Sequence, residues 1–149
     1  MKIGLVCSHG GHLTETLQIL EAFEGHDIFF ATYHSARDEF IQDIAPTFFT
    51  QNIGTSPTRL LKSAIWAWGI LRSEKPDVIL SLGSEIAIPF IYLSKILGIK
   101  TIFIESWCRV EGLSKTGKLV YIIADQFWVQ WPQLLEACGP RAQFKGAVV

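Results

Sequence analysis

The sequence predicts a protein of the α/β class, in which helices flank a parallel β-sheet. Apolar runs of strand length alternate with amphipathic stretches of helix length, which is the pattern of strands joined by crossover helices. The apolar runs are nearly continuous, as expected for strands that are covered on both faces. The chain has 149 residues, which is room for one domain but not for two of ordinary size. We therefore expect residues 1–149 to form a single domain.

The apolar runs are rich in β-branched and aromatic residues, the types that are enriched in strands. The predicted strands are Ile3–Cys7, Asp27–Thr32, Thr47–Thr50, Val78–Leu82, Thr101–Glu105, Gln126–Gln130 and Gln143–Gly146.

The intervening stretches predict helices, and several of them carry start and stop signals. Ser35 with Asp38 resembles a capping box, and Ser56 before Pro57 resembles an N-cap followed by proline at the first helical position. Gly98 lies where a helix-terminating glycine is expected. The predicted helices are His12–Glu24, Ala36–Asp43, Thr58–Glu74, Ile86–Leu97, Lys115–Ile123 and Pro132–Ala137.

The composition excludes several classes of protein. Hydrophobic residues make up 49% of the chain and charged residues 18%, which excludes a disordered or fibrous protein. The net charge of −1 lacks the overall positive field that is typical of nucleic-acid binding. We therefore expect no nucleic-acid partner.

The cysteines and the hydropathy indicate a cytoplasmic protein. Cys7, Cys108 and Cys138 are widely spaced and include no CxxC pair, so neither a disulfide framework nor a zinc cluster is indicated. The N-terminal segment lacks the features of a signal peptide, and no window reaches the ~20 apolar residues that span a bilayer. Any membrane contact is therefore expected to be peripheral.

The loop between the first predicted strand and the first predicted helix contains two adjacent glycines, Gly10 and Gly11. At this position an α/β sheet presents backbone N–H groups and the positive end of a helix to anions. Ser8, His9 and His12 add side-chain donors, so the loop predicts a cradle for a diphosphate. It lacks the GxGxxG spacing and the P-loop lysine, which argues against dinucleotide or Walker-type nucleotide binding. A purely structural turn is the alternative.

His12 has two interpretations from the sequence. Because an imidazole changes charge near neutral pH, His12 is a candidate general base or phosphate donor; alternatively, it only hydrogen-bonds the loop at the helix start. His9, His12 and Glu15 are spaced so that they could lie near one another, but no fourth metal ligand is evident. We therefore expect no metal site, and nothing in the sequence indicates a cofactor.

Four segments together resemble the Alg14-like proteins, a family that includes bacterial polysaccharide-biosynthesis subunits. The first is the glycine loop with its flanks, and the other three lie close together further on. They are Ser8–Glu15 (SHGGHLTE), Ile104–Val110 (IESWCRV), Ser114–Leu119 (SKTGKL) and Ala124–Pro132 (ADQFWVQWP). The later block is long enough to be specific, whereas the glycine loop alone is not.

The resemblance implies a Rossmann-like domain similar to the N-terminal, acceptor-binding half of a GT-B glycosyltransferase. Members of the family work with a separate donor-half subunit of the Alg13-like kind. The pair transfers a sugar, such as N-acetylglucosamine or another hexose, from a nucleotide sugar to a polyprenyl-diphosphate-linked saccharide. The site is the cytoplasmic face of the cell or endoplasmic reticulum membrane, to which the family member recruits its partner.

In this scheme the glycine loop Ser8–His12 holds the acceptor diphosphate, and His12 is the candidate catalytic residue. The alternatives are a stand-alone nucleotide- or phosphosugar-binding module and a non-catalytic scaffold for the partner. Two features depart from the family pattern. His9 stands where relatives usually carry a small residue, and the N-terminal transmembrane anchor of some relatives is absent from this sequence.

Two further loops are expected to open on the same edge of the sheet as the glycine loop, because ligands collect at the carboxyl ends of parallel strands. One contains Gly83 and Ser84, and the other begins at Glu105 and contains Arg109. Arg109 is suited to neutralise an acceptor phosphate. Glu105 could orient a sugar hydroxyl or hold Arg109 in an ion pair.

The predicted helix Thr58–Glu74 indicates a membrane contact. Leu60, Ala64, Ala67 and Leu71 form the expected inward stripe, and Arg59, Lys62, Trp66, Ile70 and Ser73 form the expected outward face. Apolar residues among positive charges are typical of a helix at an anionic lipid surface. The alternative is that Trp66 covers a loop or contacts another subunit.

Overall fold

Seven parallel strands form one sheet in the computed structural model, which describes residues 1–54 and 56–148. The strands are β1 (Lys2–Val6), β2 (Asp27–Tyr33), β3 (Thr47–Thr50), β4 (Val78–Ser81), β5 (Lys100–Ile104), β6 (Gln126–Val129) and β7 (Ala142–Phe144). Their order is β3-β2-β1-β4-β5-β6-β7. The predicted class is confirmed, and each predicted strand is present with small shifts at its ends.

The helices are α1 (Gly11–Gln18), α2 (Asp38–Ile44), α3 (Pro57–Glu74), α4 (Ala87–Leu97), α5 (Lys115–Val120) and α6 (Leu134–Cys138), with a 3₁₀ turn at Leu20–Phe23. The predicted helix His12–Glu24 is therefore too long. The Thr16 hydroxyl donates to the carbonyl of His12 at 2.8 Å, and such a bond competes with the helical backbone pattern. The Ile19 N–H then bonds Thr16 at 3.3 Å in the tighter 3₁₀ pattern.

The predicted helix signals are present, with one difference in register. Ser56 is the N-cap of α3 with Pro57 as its first residue, and Gly98 ends α4 in the left-handed conformation. The Asp38 carboxylate accepts from the Ser35 N–H at 2.7 Å, as in a capping box. The helix begins only at Asp38, so this bond stabilises the turn before α2.

The sheet is covered on both faces, which explains the nearly continuous apolar runs. Successive residues of a strand point to opposite faces. Phe29 packs with Ile79 under α3 and α4, whereas Phe30 packs with Leu5 and other buried residues on the opposite face. At Gly4, a Cβ atom would lie 2.5 Å from both the Ile79 and the Phe29 side chains, so any larger residue there would force these buried side chains to shift.

The register of β1 positions the site. Val6 pairs with Ala31 of β2 and with Ser81 of β4, and Ser81 pairs with Phe103 of β5. The strand order reverses at β1, which lies between β2 and β4. The loops that follow β1, β4 and β5 therefore leave the sheet at one level, at a topological switch point where α/β proteins bind ligands.

The expected faces of α3 are wrong in part. Ile70 is 5% exposed, and Trp66 is partly buried, with its ring against Phe90 at a centroid distance of 5.6 Å. Small side chains, Ser63 and Ala67, form part of the buried stripe and let the backbone approach its neighbours. The hydrophobic periodicity of α3 predicted the wrong position for the buried stripe, because apolar residues occur on every side of the helix.

The outward face of α3 is apolar nonetheless. Leu61 is 64% exposed, Ile65 67% and Trp68 38%, and the Arg72 guanidinium lies 5.7 Å from the centre of the Trp68 ring. Among the helices of residues 1–54 and 56–148, none has the length and apolar character needed to cross a bilayer.

Candidate functional site

A cleft of about 560 Å³ opens at the carboxyl ends of the central strands. It lies between the first turns of α1, the loops after β4 and β5, and the start of α5. The lining residues are Gly11, His12, Glu15, Ser84, Ser106, Cys108, Arg109, Ser114, Lys115 and Thr116. The loops that the sequence predicted to converge on this edge of the sheet therefore do so.

The glycine loop contributes its helical end to the cleft. Gly10 has a φ of +80° and precedes α1, a backbone conformation that favours glycine. A Cβ atom at Gly10 or Gly11 would meet no heavy atom within 4 Å, so the space in front of the loop is open. Among the proposed cradle residues, Gly11 and His12 line the cleft, whereas Ser8, His9 and Gly10 do not.

His9 lies on the other side of the loop. It is exposed, and its ring lies edge-on to Tyr33 at a centroid distance of 6.1 Å. The Tyr33 hydroxyl donates to Glu85 at 3.0 Å, and the Ser84 hydroxyl donates to the other oxygen of Glu85 at 2.8 Å. Burial and the nearby charge of Glu85 raise the pKa of Tyr33, so the phenol stays protonated and holds this carboxylate beside the cleft.

The His12 ring packs against Gly83. A Cβ atom at Gly83 would lie 2.8 Å from His12 Cε1 and 3.0 Å from Nδ1, and the φ of Gly83 is +112°. The Nδ1 atom is buried and has no hydrogen-bond partner in the described part of the chain. Buried polar atoms nearly always have a partner, so this nitrogen is an exception, in a residue that lines the cleft.

Glu15 was considered from the sequence only as a metal ligand, but the structure gives it a different role. Its Oε1 accepts from the Ser106 hydroxyl at 2.9 Å, and its Oε2 accepts from the Trp107 N–H at 3.2 Å and from Gln130 Nε2 at 2.9 Å. Glu15 is buried. Glu15 therefore fastens the loop after β5 to α1. Its position about one helical turn after His12 is the feature of the sequence that could have indicated a place near the site.

Glu105 does not hold Arg109, and it cannot reach a sugar hydroxyl. Its side chain is fully buried. It accepts from the Ser106 N–H at 3.0 Å, and from the N–H and hydroxyl of Ser114 at 2.9 and 3.0 Å. The hypotheses of an ion pair and of a direct sugar contact are therefore wrong, because these bonds direct the carboxylate into the protein.

Glu105 lies at the N-terminus of α5, where a helix favours negative charge. Ser114 is the N-cap of this helix, and its hydroxyl accepts from the Gly117 N–H at 2.8 Å. A Cβ atom at Gly117 would overlap the Glu105 carboxylate. Glycine at this position lets α5 close onto the buried charge.

Two cations face the cleft. Arg109 and Lys115 both line it and are exposed. Within residues 1–54 and 56–148, neither forms an ion pair. Together with the open N-terminus of α1, they make the cleft suited to an anion such as a diphosphate.

An aromatic pair lies at the end of the same loop. The rings of Trp107 and Trp131 are 5.9 Å apart, and Trp131 Nε1 donates to the Trp107 carbonyl at 2.7 Å. Trp107 remains 42% exposed. No group of three or more His, Cys, Asp or Glu side chains in the described ranges is arranged to hold a metal ion.

Comparison with known proteins shows a family match. The model of the family described as "Oligosaccharide biosynthesis protein Alg14 like" matches residues 47–148. This range contains the later block of the resemblance but not the glycine loop. The resemblance stated from the sequence is confirmed.

Two relatives illustrate the similarity, and both are called UDP-N-acetylglucosamine transferase subunit ALG14. The Homo sapiens protein is 37% identical over 58% of this chain and 43% of its own length. The Schizosaccharomyces pombe protein is 28% identical over 93% of this chain and 79% of its own length. The chain thus spans less than half of the human relative.

Solved structures show the fold. MurG of Acinetobacter baumannii superimposes with a TM-score of 0.77 at 16% identity, over 96% of this chain and 46% of MurG. UDP-GlcNAc 2-epimerase of Neisseria meningitidis gives 0.72 at 11% identity, over 99% of this chain and 47% of the enzyme. The fold thus corresponds to about half of each neighbour, and the predicted Rossmann-like, GT-B type of domain is confirmed.

Proposed function

The chain belongs to the Alg14-like family of oligosaccharide biosynthesis proteins, and from that premise we propose that it is the acceptor-binding subunit of a two-chain glycosyltransferase. Its partner is a donor-half subunit of the Alg13-like kind. The pair transfers N-acetylglucosamine from UDP-N-acetylglucosamine, as the names of its relatives suggest. The acceptor is a saccharide linked to a polyprenyl diphosphate.

The cleft between α1, α5 and the loop after β5 carries this proposal. A diphosphate has the charge to pair with Arg109 and Lys115 and to approach the N-terminus of α1 at Gly11. The sugar next to the diphosphate then lies near His12, which is on the same turn. The positive charge of the cleft and its accessible backbone at Gly11 are therefore suited to the diphosphate of the acceptor.

The residues of the cleft divide into ligand contacts and supports. His12 acts as a hydrogen-bond donor to the acceptor or as the base that receives the proton of the attacking hydroxyl. Gly83 makes room for its ring. Glu15 and Glu105 hold the loop that carries Arg109, so they position this cation at the cleft.

A separate donor-half chain is supported by the size of the match. This chain superimposes on only 46% of MurG. In an enzyme built from two such domains, the reacting groups meet between the domains. The exposed cleft of this chain therefore requires a second domain to complete the active site. The donor nucleotide binds to the partner in this scheme.

Recruitment to the cytoplasmic face of a membrane is the second part of the proposal. The outward face of α3 presents Leu61, Ile65 and Trp68, and Arg59 and Lys62 are exposed on the same helix. A helix with apolar residues and cations on its surface is suited to an anionic lipid interface. Trp66 and Ile70 were also expected to face the membrane, but they pack inward. The exposed residues Leu61, Ile65 and Trp68 take their place.

Co-expression with a donor-half subunit tests the proposal. The complex should transfer N-acetylglucosamine from the UDP-sugar to a polyprenyl-diphosphate-linked acceptor, whereas the purified chain alone should be inactive. Arg109→Gln in the complex should raise the acceptor KM by about tenfold, because a charged hydrogen bond contributes about 1.5–3 kcal/mol. Lys100→Gln, at an exposed site far from the cleft, serves as the matched control.

Two results would favour the alternatives. Tight binding of UDP or UDP-N-acetylglucosamine to the isolated chain would indicate a stand-alone nucleotide-binding module. Full activity of complexes that carry Arg109→Gln or His12→Gln would indicate a scaffold that takes no part in acceptor binding.

A further inference from the structure

A second cleft lies at the edge of the sheet, away from the candidate site. It has a volume of about 310 Å³ and lies between the end of β3 and the first two turns of α3. Its polar lining residues are Thr50, Gln51, Asn52, Arg59, Lys62 and Ser63. It shares no lining residue with the first cleft.

The lining of this cleft has the chemistry of an anion site. Arg59 and Lys62 supply two positive charges, and the lining contains no carboxylate. In the part of the chain that the structure describes, neither cation forms an ion pair. The Asn52 Oδ1 atom accepts from the Gly54 N–H at 2.8 Å, which leaves the amide NH₂ as the group of Asn52 that is available to a ligand.

Ser63 provides a second, independent indication of a ligand. The residue is 3% exposed, and its hydroxyl has no hydrogen-bond partner among the described residues. A serine within a helix ordinarily bonds the carbonyl one turn earlier, and an unsatisfied buried hydroxyl is destabilising. Ser63 is also a lining residue of the cleft that carries Arg59 and Lys62.

We propose that this cleft binds a phosphate group, with Arg59 and Lys62 pairing its charge and the Ser63 hydroxyl donating to one of its oxygens. The phosphate is either a free phosphate ion or the headgroup of an anionic lipid. A headgroup fits the surroundings, because Leu61 and Ile65 are exposed on the same helix. The headgroup alternative rests on the proposed recruitment to a membrane, whereas binding of the free ion does not.

Isothermal titration calorimetry of the purified chain with inorganic phosphate tests the site. Lys62→Gln should weaken phosphate binding about tenfold, since hydrogen bonds to charged groups are among the strong ones. Lys100→Gln, which alters an exposed lysine on β5, should leave binding unchanged. Arg109→Gln should leave this binding event intact, which separates it from anion binding in the first cleft.

Ser63→Ala separates a ligand contact from a structural role. Because the hydroxyl has no partner within the described residues, its removal should leave the melting temperature unchanged or raise it. The same variant should weaken phosphate binding several-fold. A lower melting temperature with unchanged binding would show that the hydroxyl serves the fold alone, and the proposal would be overturned.

Vesicle sedimentation distinguishes the two sources of phosphate. Vesicles of phosphatidylcholine with phosphatidic acid should retain the chain more strongly than phosphatidylcholine alone, and Lys62→Gln should abolish the difference if the ligand is a lipid headgroup. Phosphate binding in solution without this difference identifies the free ion. Failure of both probes to bind, or binding that is equal in Lys62→Gln and in the unmodified chain, would refute the site.

Discussion

The imidazole of His12 lies directly against the backbone of Gly83, where a Cβ atom would come within 2.8 Å of the ring. The contact joins the loop after β1 to the loop after β4, across the point at which the strand order reverses. At this contact the His12 Nδ1 atom is buried. The position of the candidate catalytic residue therefore depends on a glycine more than 70 residues away in the chain.

Gly83→Ala is expected to impair transfer by the complex. The added methyl group displaces the His12 ring, and alanine is strained at the φ of +112°. We expect kcat to fall about tenfold or more and the free energy of unfolding to fall by about 1–3 kcal/mol. Gly112→Ala, where a Cβ atom meets nothing within 4 Å, is the control, and an equal effect of both substitutions would contradict the assignment.

Glu15→Gln is expected to loosen the loop after β5. The carboxylate accepts from three donors on Ser106, Trp107 and Gln130, and an amide presents one NH₂ group where an acceptor is needed. The free energy of unfolding should fall by about 1–3 kcal/mol. Amide hydrogen exchange at Trp107 should accelerate. Glu21→Gln, at an exposed position, should change neither quantity; an unaltered exchange rate at Trp107 in Glu15→Gln would argue against the role.

Two glycine substitutions should act in opposite directions. Gly117→Ala places a methyl group onto the buried Glu105 carboxylate, and overpacking of this kind destabilises by about 1–3 kcal/mol. Gly69→Ala lies in α3, in open space, where alanine should stabilise the helix by about 0.5–1 kcal/mol. Urea denaturation of both variants measures the difference, and a stable Gly117→Ala protein would show that Glu105 has room to move.

Asp125 should contribute to stability at neutral pH and lose that contribution in acid. Burial opposes its ionisation, but hydrogen bonds from Lys95 and Thr101 outweigh burial and lower the pKa of Asp125 below 3.8. Because the pKa is lower in the folded state, the stabilisation is complete above the unfolded value of about 3.9. It disappears as the pH falls through the folded value.

Asp125→Asn should therefore reduce the free energy of unfolding by about 1–2 kcal/mol at pH 7, and the difference from the unmodified chain should shrink below about pH 4. Denaturation curves between pH 7 and pH 3 provide the measurement. Asp43→Asn, an exposed carboxylate, provides the control. A difference that stays constant with pH would show that the charge of Asp125 is not what stabilises the fold.

The central strands were predictable because they are apolar runs buried on both faces. Phe29 and Phe30 are adjacent, yet both are fully buried, on opposite sides of the sheet. The face of α3 was not predictable, because apolar residues surround the helix and the buried stripe includes the polar Ser63. Hydropathy alone could not indicate that a serine lies inward while Ile65 lies outward.

The sequence was sufficient to predict which loops form the site. The strand ends brought Gly11, His12, Ser84 and Arg109 to one cleft. The roles of Glu15 and Glu105 were not predictable, because they depend on donors that tertiary structure supplies from distant segments, such as Gln130. A carboxylate four residues before an arginine in the sequence suggested an ion pair, but the Glu105 carboxylate accepts from the neutral donors of Ser114 instead.

The central place of β1 between β2 and β4 has a consequence for synthesis on the ribosome. During synthesis β1 can pair with β2 early, but its other edge stays unpaired until Val78–Ser81 has left the exit tunnel. Throughout that interval the nascent chain exposes unpaired backbone groups and the apolar side chains meant for the sheet interior. Chaperone binding, or fast translation from β3 to β4, would limit this exposure and with it the risk of aggregation.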